Sequence, residues 1–288
     1  MRKKKILILG STGMAGHMAY GYLSARGDFD ITNLAFRKKL NESTIILDIT
    51  DKASLKKIIN EIKPEVIINC TGILLKGAKD NPANAIFINA YFPHFLSKLA
   101  NENRAKLIHI STDCVFSGSK GNYLPDDTKD AQDIYGMSKA LGEIINQNDL
   151  TIRTSIIGPE IKVNGEGLLH WFLSQQGTIY GYTDSYWTGI TTLQLAKVIE
   201  YSIDKNISGL LQCSNGIKIS KFDLLQIFKK TWNKSTIEII PVPGKRVDKS
   251  LLPSDPELTL QIPDYITMCE ELFEYMHDHN ERYKQYHD

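Results

Sequence analysis

A four-residue apolar run, Ile6 to Leu9, stops at Gly10 and passes through Ser11-Thr12-Gly13-Met14-Ala15-Gly16 directly into a helical pattern. This commits the chain to a strand–turn–helix opening with a glycine at every third position of the turn. Such a turn lets backbone N–H groups and a helix N-terminus close on a phosphate that a Cβ would hold off. The plain alternative is a tight strand-to-helix connection with no ligand.

The same unit then repeats. A helix is expected over Met14–Ala25, and short strands over Ile31–Phe36 and Ile45–Leu47. Asp51 can cap a helix that ends before Lys63-Pro64. Glu65–Asn69 reads as a strand, Pro82–Asn101 as a long helix and Lys106–Ser111 as a strand. Tyr135–Asn148 reads as a helix and Thr151–Ser155 as a strand. Uninterrupted apolar strands alternating with helices predict a parallel sheet covered on both faces, an α/β doubly wound fold.

After Ile157 the pattern loosens. Gly165–Gly189 is rich in glycine and aromatics, Thr191–Ile203 reads as a helix, and Gly209–Ser214 as a strand returning to the sheet. Ser220 can cap an amphipathic helix, Pro241–Pro263 reads as irregular, and a last helix carries Ile266, Cys269, Leu272, Phe273 and Met276. The expected division is a nucleotide-binding domain of 1–157 plus about 188–214, and a smaller, discontinuous C-terminal substrate-binding lobe of about 158–187 plus 215–288.

Composition removes several classes. A net charge of +1 leaves no footprint for nucleic acid. No window reaches the apolar length of a membrane span. The basic lead Arg2-Lys3-Lys4-Lys5 precedes too few apolar residues for a signal peptide. Cys70, Cys114, Cys213 and Cys269 read as buried free thiols of a reducing, cytoplasmic compartment. His277, His279 and His287 read as a solvated tail, and no metal site is predicted.

In a doubly wound sheet, ligands sit at the carboxyl ends of the strands. Gly10, Gly13 and Gly16 follow the first strand, with Ser11 and Thr12 offering hydroxyls to a phosphate and Met14 opening the helix. An NAD site places an acid at the end of the second strand, where this chain has Arg37 and Lys38. A cationic pair there suits a 2′-phosphate, so NADPH is expected over NAD. Asp48 and Ile49 end the third strand, Asn69, Thr71 and Gly72 the fourth, and Asn89 lies in the helix that follows.

Downstream, Ser111-Thr112-Asp113 closes a strand, and Tyr135 and Lys139 lie four apart at the start of a helix, on one face. Ketone reduction needs a proton donor as hydride arrives. Tyrosine is protonated at neutral pH, and a nearby ammonium stabilises the phenolate left behind. Thr112 can hydrogen-bond the carbonyl oxygen. The three are expected to be catalytic. Among the aromatics of the second lobe, Trp187 is a candidate to line a sugar pocket, and Arg246 to neutralise a pyrophosphate.

Ser111-Thr112-Asp113-Cys114-Val115-Phe116-Ser117-Gly118, followed by Tyr135-Gly136-Met137-Ser138-Lys139 and Gly142-Glu143, resembles the signature of the dTDP-4-dehydrorhamnose reductase family. That family belongs to the extended short-chain dehydrogenase/reductase superfamily, with a Rossmann-type sheet. Ile152-Arg153-Thr154-Ser155 and Arg246-x-x-x-Ser250-x-Leu252 resemble two further segments of it. The resemblance implies NADPH-dependent reduction of the carbon-4 ketone of a nucleotide-linked 4-keto-6-deoxy sugar. It implies roles for Thr112, Tyr135 and Lys139 in catalysis, for Gly10, Gly13, Gly16, Asn69 and Ser111 at the cofactor, and for Val115 and Phe116 at the substrate. A separate 3,5- or 5-epimerase is the implied pathway partner, and a homodimer is compatible.

Departures are visible. Cys114 replaces a tyrosine, Val247 a proline, and His17-Met18 stands where some members place a metal-binding glutamate. Residues 181–189 resemble instead a branch acting on UDP-linked 2-acetamido-2,6-dideoxy-hexuloses, so dTDP- and UDP-sugars both stay open. Two other readings also stay open: a sugar-nucleotide epimerase or dehydratase on the same fold, and a non-catalytic regulatory subunit that kept the fold.

Overall fold

The structure is a computed structural model and describes residues 2–286. His287 lies outside the described residues. The chain divides into two compact units. The first comprises 1–115, 129–153 and 196–211, and the second 116–128, 154–195 and 212–288. Residues 116–128, 154–157, 188–195 and 212–214, expected from the sequence in the nucleotide-binding domain, fall in the second unit.

The first unit opens with β1 (Lys4–Leu9), α1 (Met14–Arg26), β2 (Phe29–Ala35), β3 (Ile45–Ile46) and α2 (Lys52–Ile62). It continues through β4 (Val66–Asn69), α3 (Leu75–Asp80), α4 (Pro82–Ala85), a π-helical turn (Ile86–Tyr91) and α5 (Phe92–Glu102). Next come β5 (Lys106–Thr112), α6 (Ile134–Leu141) and β6 (Leu150–Thr154). The later stretch of chain supplies β7 (Ile156–Ile157), α7 (Leu168–Leu173), β8 (Thr178–Tyr182), β9 (Ser185–Trp187), β10 (Ile190–Thr191), α8 (Thr192–Asp204) and β11 (Gly209–Gln212). It ends with β12 (Ile219–Ser220), α9 (Lys221–Thr231), β13 (Glu238–Val242), β14 (Val247–Asp248), α10 (Pro256–Thr259) and α11 (Tyr265–Asp278).

Seven strands form one sheet in the order β11-β6-β5-β4-β1-β2-β3. The pairs β1–β2, β1–β4, β2–β3 and β4–β5 are parallel. This is the Rossmann-type doubly wound sheet, and the strand order reverses between β1 and β4, where such sheets open a crevice. Leu7, Leu9, Ile67 and Leu107 of the central strands pack with Leu55 and Ile59 of α2 and Phe92, Leu96 and Leu99 of α5. Helices on the sheet keep the inner strands dry, which explains their unbroken apolar runs.

The caps follow the sequence. Asp51 accepts from the Ser54 N–H, and Ser220 from that of Asp223. α1 ends at Gly27, which has φ +79°. α6 differs: the expected helix to Asn148 stops at Leu141. A side chain on Gly142 would collide with the Asn89 carbonyl oxygen, so the chain leaves the helix where it presses on the π-helical turn.

In the second unit, α9 and α11 pack together, with Phe228 edge-on to Trp232 and Trp232 edge-on to Phe273. Two small sheets, β12-β9-β14 and β13-β8, and the pair β10-β7 accompany them. β8, β9, β13 and β14 lie in segments whose sequence shows no clear strand period. They are only two to five residues long. No helix among the described residues is long and apolar enough to cross a membrane.

Candidate active site

The glycine turn is shaped by backbone crowding. Gly10 has φ +77°, and a Cβ on it would come within 2.9 Å of the Cys70 carbonyl group. A Cβ on Gly16 would overlap the Gly10 carbonyl oxygen. Gly10 is therefore needed for the turn and its approach to the loop after β4, and Gly16 for seating α1 against the turn. Gly13 is the N-cap of α1 and makes no side-chain capping bond, unlike the capped starts of α2, α6, α9 and α11. The first helical bond runs from the His17 N–H to the Gly13 carbonyl, so the N–H groups of the first turn point out of a bare helix end. Such an end, rimmed by glycines, fits a pyrophosphate.

The hydroxyls of the turn differ from expectation. Ser11 is fully buried, and its hydroxyl donates to Asn33 Oδ1 on β2 at 2.9 Å, turned away from any ligand at the helix end. Thr12 and Met14 stay partly exposed. Arg37 and Lys38 are exposed just beyond β2, with the Arg37 guanidinium 4.7 Å from the centre of the Phe36 ring. Asp48 is exposed and accepts from the Thr50 N–H and hydroxyl through Oδ1; Ile49 beside it is half-buried.

After β4, Asn69 Oδ1 accepts from the Thr71 N–H and hydroxyl, ordering the Thr71-Gly72 loop. Asn89, in the π-helical turn, accepts from the Ile73 N–H and donates to the Ile73 carbonyl and to the Ser138 hydroxyl. Its amide is thus spent on holding this loop and α6 together.

Thr112 ends β5, and Tyr135 and Lys139 stand one turn apart on α6. Asp133 caps α6 by accepting from the Gly136 N–H. A Cβ on Gly136 would overlap the Cys114 carbonyl oxygen, so glycine is what lets α6 close on the segment after β5. The Thr112 hydroxyl donates to Asp113 Oδ1 at 3.1 Å and accepts from the Cys114 N–H at 3.1 Å. Burial, then Cys114, hold the Tyr135 phenol well above its ordinary range, with the nearby Thr112 hydroxyl acting the other way. Lys139 is buried, and Nζ donates to the Ile110 carbonyl at 2.6 Å. Burial lowers its ammonium to about 8, with Glu143 and Cys70 opposing.

Below these groups lies a buried ion pair. Glu143 accepts from Arg153 Nε at 2.8 Å and Nη2 at 2.7 Å, from the Ser111 hydroxyl at 2.8 Å and from Lys129 at 3.1 Å. Burial works against its charge, but these donors, Arg153 foremost, hold the carboxyl below its usual value. Ser111 is therefore engaged inward, joining β5 to the segment after α6.

Two expected substrate contacts are not available as side chains. Val115 and Phe116 are fully buried, and Phe116 stacks on Tyr123 at 4.1 Å. In the second unit, Trp187 is buried, donates to Ser155 and lies 5.6 Å from Tyr265, while Arg246 is exposed just before β14. His109 of β5, which no sequence motif marks, is fully buried among these groups. A titratable side chain inside an otherwise apolar strand was the available signal, since such residues are buried only with partners.

Comparison with known proteins agrees with this architecture. A family model described as the RmlD substrate binding domain matches residues 4–259. The chain is 31% identical over 157 residues to a dTDP-4-dehydrorhamnose reductase of Aggregatibacter actinomycetemcomitans, covering 52% of this chain and 51% of that one. It is 22% identical over 289 residues to methionine adenosyltransferase 2 subunit beta of Xenopus tropicalis, covering 88% and 80%. The chain spans about half the length of the curated reductases it matches first. In structure it is similar to a dTDP-4-dehydrorhamnose reductase of Bacillus anthracis in complex with NADP. The TM-score is 0.79 at 23% identity, over 95% of this chain and 100% of that one, a likeness of fold.

Proposed function

The chain belongs to the family described as the RmlD substrate binding domain, and from that membership we propose that it reduces the carbon-4 ketone of a nucleotide-linked 4-keto-6-deoxy sugar with NADPH. What supports the reading is that Thr112 ends β5 and Tyr135 and Lys139 lie one turn apart on α6, in the same unit whose first strand runs into a glycine-rich, uncapped helix start. The printed names of the relatives at and above 31% identity support the substrate class.

When bound, the nicotinamide supplies hydride to the ketone carbon. The residues of the chain do the rest. The bare start of α1 and Gly10, Gly13 and Gly16 hold the pyrophosphate. Arg37 and Lys38 pair with a 2′-phosphate, favouring NADPH over NAD. Thr112 donates a hydrogen bond to the substrate carbonyl oxygen and polarises it. Tyr135, kept protonated in the resting protein, donates its proton to that oxygen. Lys139 stabilises the phenolate that remains and holds the nicotinamide ribose. Trp187 and Arg246 are the candidates to take the sugar nucleotide, dTDP- or UDP-linked. A separate 3,5- or 5-epimerase supplies the substrate, and the setting is the cytoplasm.

The test follows NADPH absorbance against dTDP- and UDP-4-keto-6-deoxyglucose and UDP-2-acetamido-4-keto-2,6-dideoxyglucose, with and without a matching epimerase. Turnover on one member, lost in Tyr135→Phe while NADPH still binds, is the expected result. A Tyr135→Phe variant that turns over near the wild-type rate removes the tyrosine from its role. The length of the match to subunit beta favours a second reading, a non-catalytic subunit. Tight NADPH binding with no oxidation across the panel would support that one.

A further inference from the structure

His109 sits in β5 directly across the ladder from Asn69 of β4. The orientation of the Asn69 amide is decided by a group that can only donate. The Thr71 backbone N–H points at one end of that amide at 3.1 Å, so this end is the carbonyl oxygen. The other end, the NH2, therefore faces His109 Nδ1 at 3.1 Å. An amide NH2 cannot accept, so Nδ1 must carry the lone pair and the single imidazole proton must sit on Nε2. A second ring proton would set N–H against N–H. Burial opposes the imidazolium as well, with Lys139 and His94 adding to it, and holds His109 well below its ordinary value.

Nε2 in turn lies 3.4 Å from Lys139 Nζ. An Nε2–H aimed at Nζ is a hydrogen bond only when Nζ has a lone pair, as the neutral amine. Against an ammonium it is a contact between two donors. We infer that Asn69 and His109 form a tautomer lock whose Nε2–H faces Lys139 and favours its neutral amine, making His109 a positioning residue that acts on the chemistry through Lys139.

The other groups that face this lysine pull the opposite way. Glu143, four residues after Lys139, favours the ammonium, as a Cys70 thiolate after β4 would. Cys70 is itself pushed up to about 12 by burial, which keeps it a neutral thiol. The lock is thus the specific polar contact working with burial against the charge. Its catalytic meaning rests on the reductase reading of Lys139, but the tautomer itself does not.

The first test is a two-bond nitrogen–proton correlation spectrum of the 15N-labelled protein, with the His109 signal assigned by its loss in His109→Gln. The expected pattern is an unprotonated Nδ1 and a protonated Nε2, unchanged as pH falls through the ordinary imidazole range, about pH 7.5 to 5.5. An Nδ1–H tautomer, or a His109 that gains its second ring proton within that range, overturns the lock. The second test follows the Lys139 Nζ signal against pH in the ligand-free protein, which reads the coupling whether or not the protein reduces any ketone. His109→Phe removes the N–H and is expected to raise the Lys139 midpoint by about one pH unit, a tenfold gain in proton affinity. His109→Gln keeps a polar side chain that can turn its oxygen to the ammonium, so it guards against loss of folding and is expected to raise the midpoint further. An unmoved midpoint in both variants overturns the coupling. In a protein with measurable turnover, the same displacement is expected in the pH profile of kcat/KM.

Discussion

Replacing Lys139 by Met is expected to abolish turnover and, at the same time, to stabilise the protein. The ammonium is buried and falls from 10.5 to about 8, chiefly through burial. At about 1.4 kcal/mol per pH unit, holding this charge costs the folded state about 3 kcal/mol at neutral pH. Met keeps the length and most of the volume of the side chain without the charge. The substitution strands the Ile110 carbonyl, which loses the donor it has at 2.6 Å, a loss of about 1 kcal/mol or slightly more. The net gain is about 2 kcal/mol, which for a unit of this size is a rise of about 5 °C in Tm. The pH dependence fixes the cause. The folded protein releases this proton near pH 8 and the unfolded chain near 10.5, so the penalty is complete below about pH 8 and fades as pH climbs toward about 10.5. Thermal unfolding of wild type and variant at about pH 6.5 and about pH 10 reads both points. A variant no more stable than wild type at the lower pH refutes the argument. So does an advantage that persists undiminished at the higher one.

Three further substitutions probe the rest of the site. Gly136→Ala places a methyl against the Cys114 carbonyl and lifts α6. It is expected to cost about 1–3 kcal/mol in urea unfolding and to lower kcat more than it raises KM, because the proton donor moves with the helix. Arg37→Glu should weaken NADPH binding about 10- to 100-fold in a fluorescence titration while leaving NADH nearly unchanged; equal loss for both cofactors would deny the 2′-phosphate contact. Arg153→Met leaves Glu143 buried with the half-buried Lys129 still paired to it, and is expected to cost about 3–5 kcal/mol. Since Glu143 is held below its usual value in the fold, that wild-type contribution is present above the ordinary carboxylate range and is lost as pH falls through the folded value. The gap between wild type and Arg153→Met should therefore narrow in acid.

What could be read from the sequence was whatever a local period or a cap dictates. The glycine turn, the Asp51 and Ser220 caps and the one-turn spacing of Tyr135 and Lys139 depend on neighbours within four residues, and the structure places all of them as expected. What could not be read was the direction of side chains set by a neighbouring strand. Ser11 looks like a phosphate ligand in a one-dimensional motif. Both the Gly10 and Ser11 N–H groups bond the Leu34 carbonyl of β2, and that anchoring turns the hydroxyl inward to Asn33. Val115 and Phe116 likewise match a signature, but the stack of Phe116 on Tyr123 is a pairing across residues with no shared period. His109 shows the same limit from the other side. Its strand position marks it as buried, yet its role depends on Asn69, forty residues earlier, and the two meet because β4 lies beside β5 in the sheet. Once that order is known, one backbone N–H at Thr71 orients an amide, the amide selects a tautomer, and the tautomer bears on the charge of Lys139. Each link is an ordinary hydrogen-bond constraint, and none of them is a property of a motif.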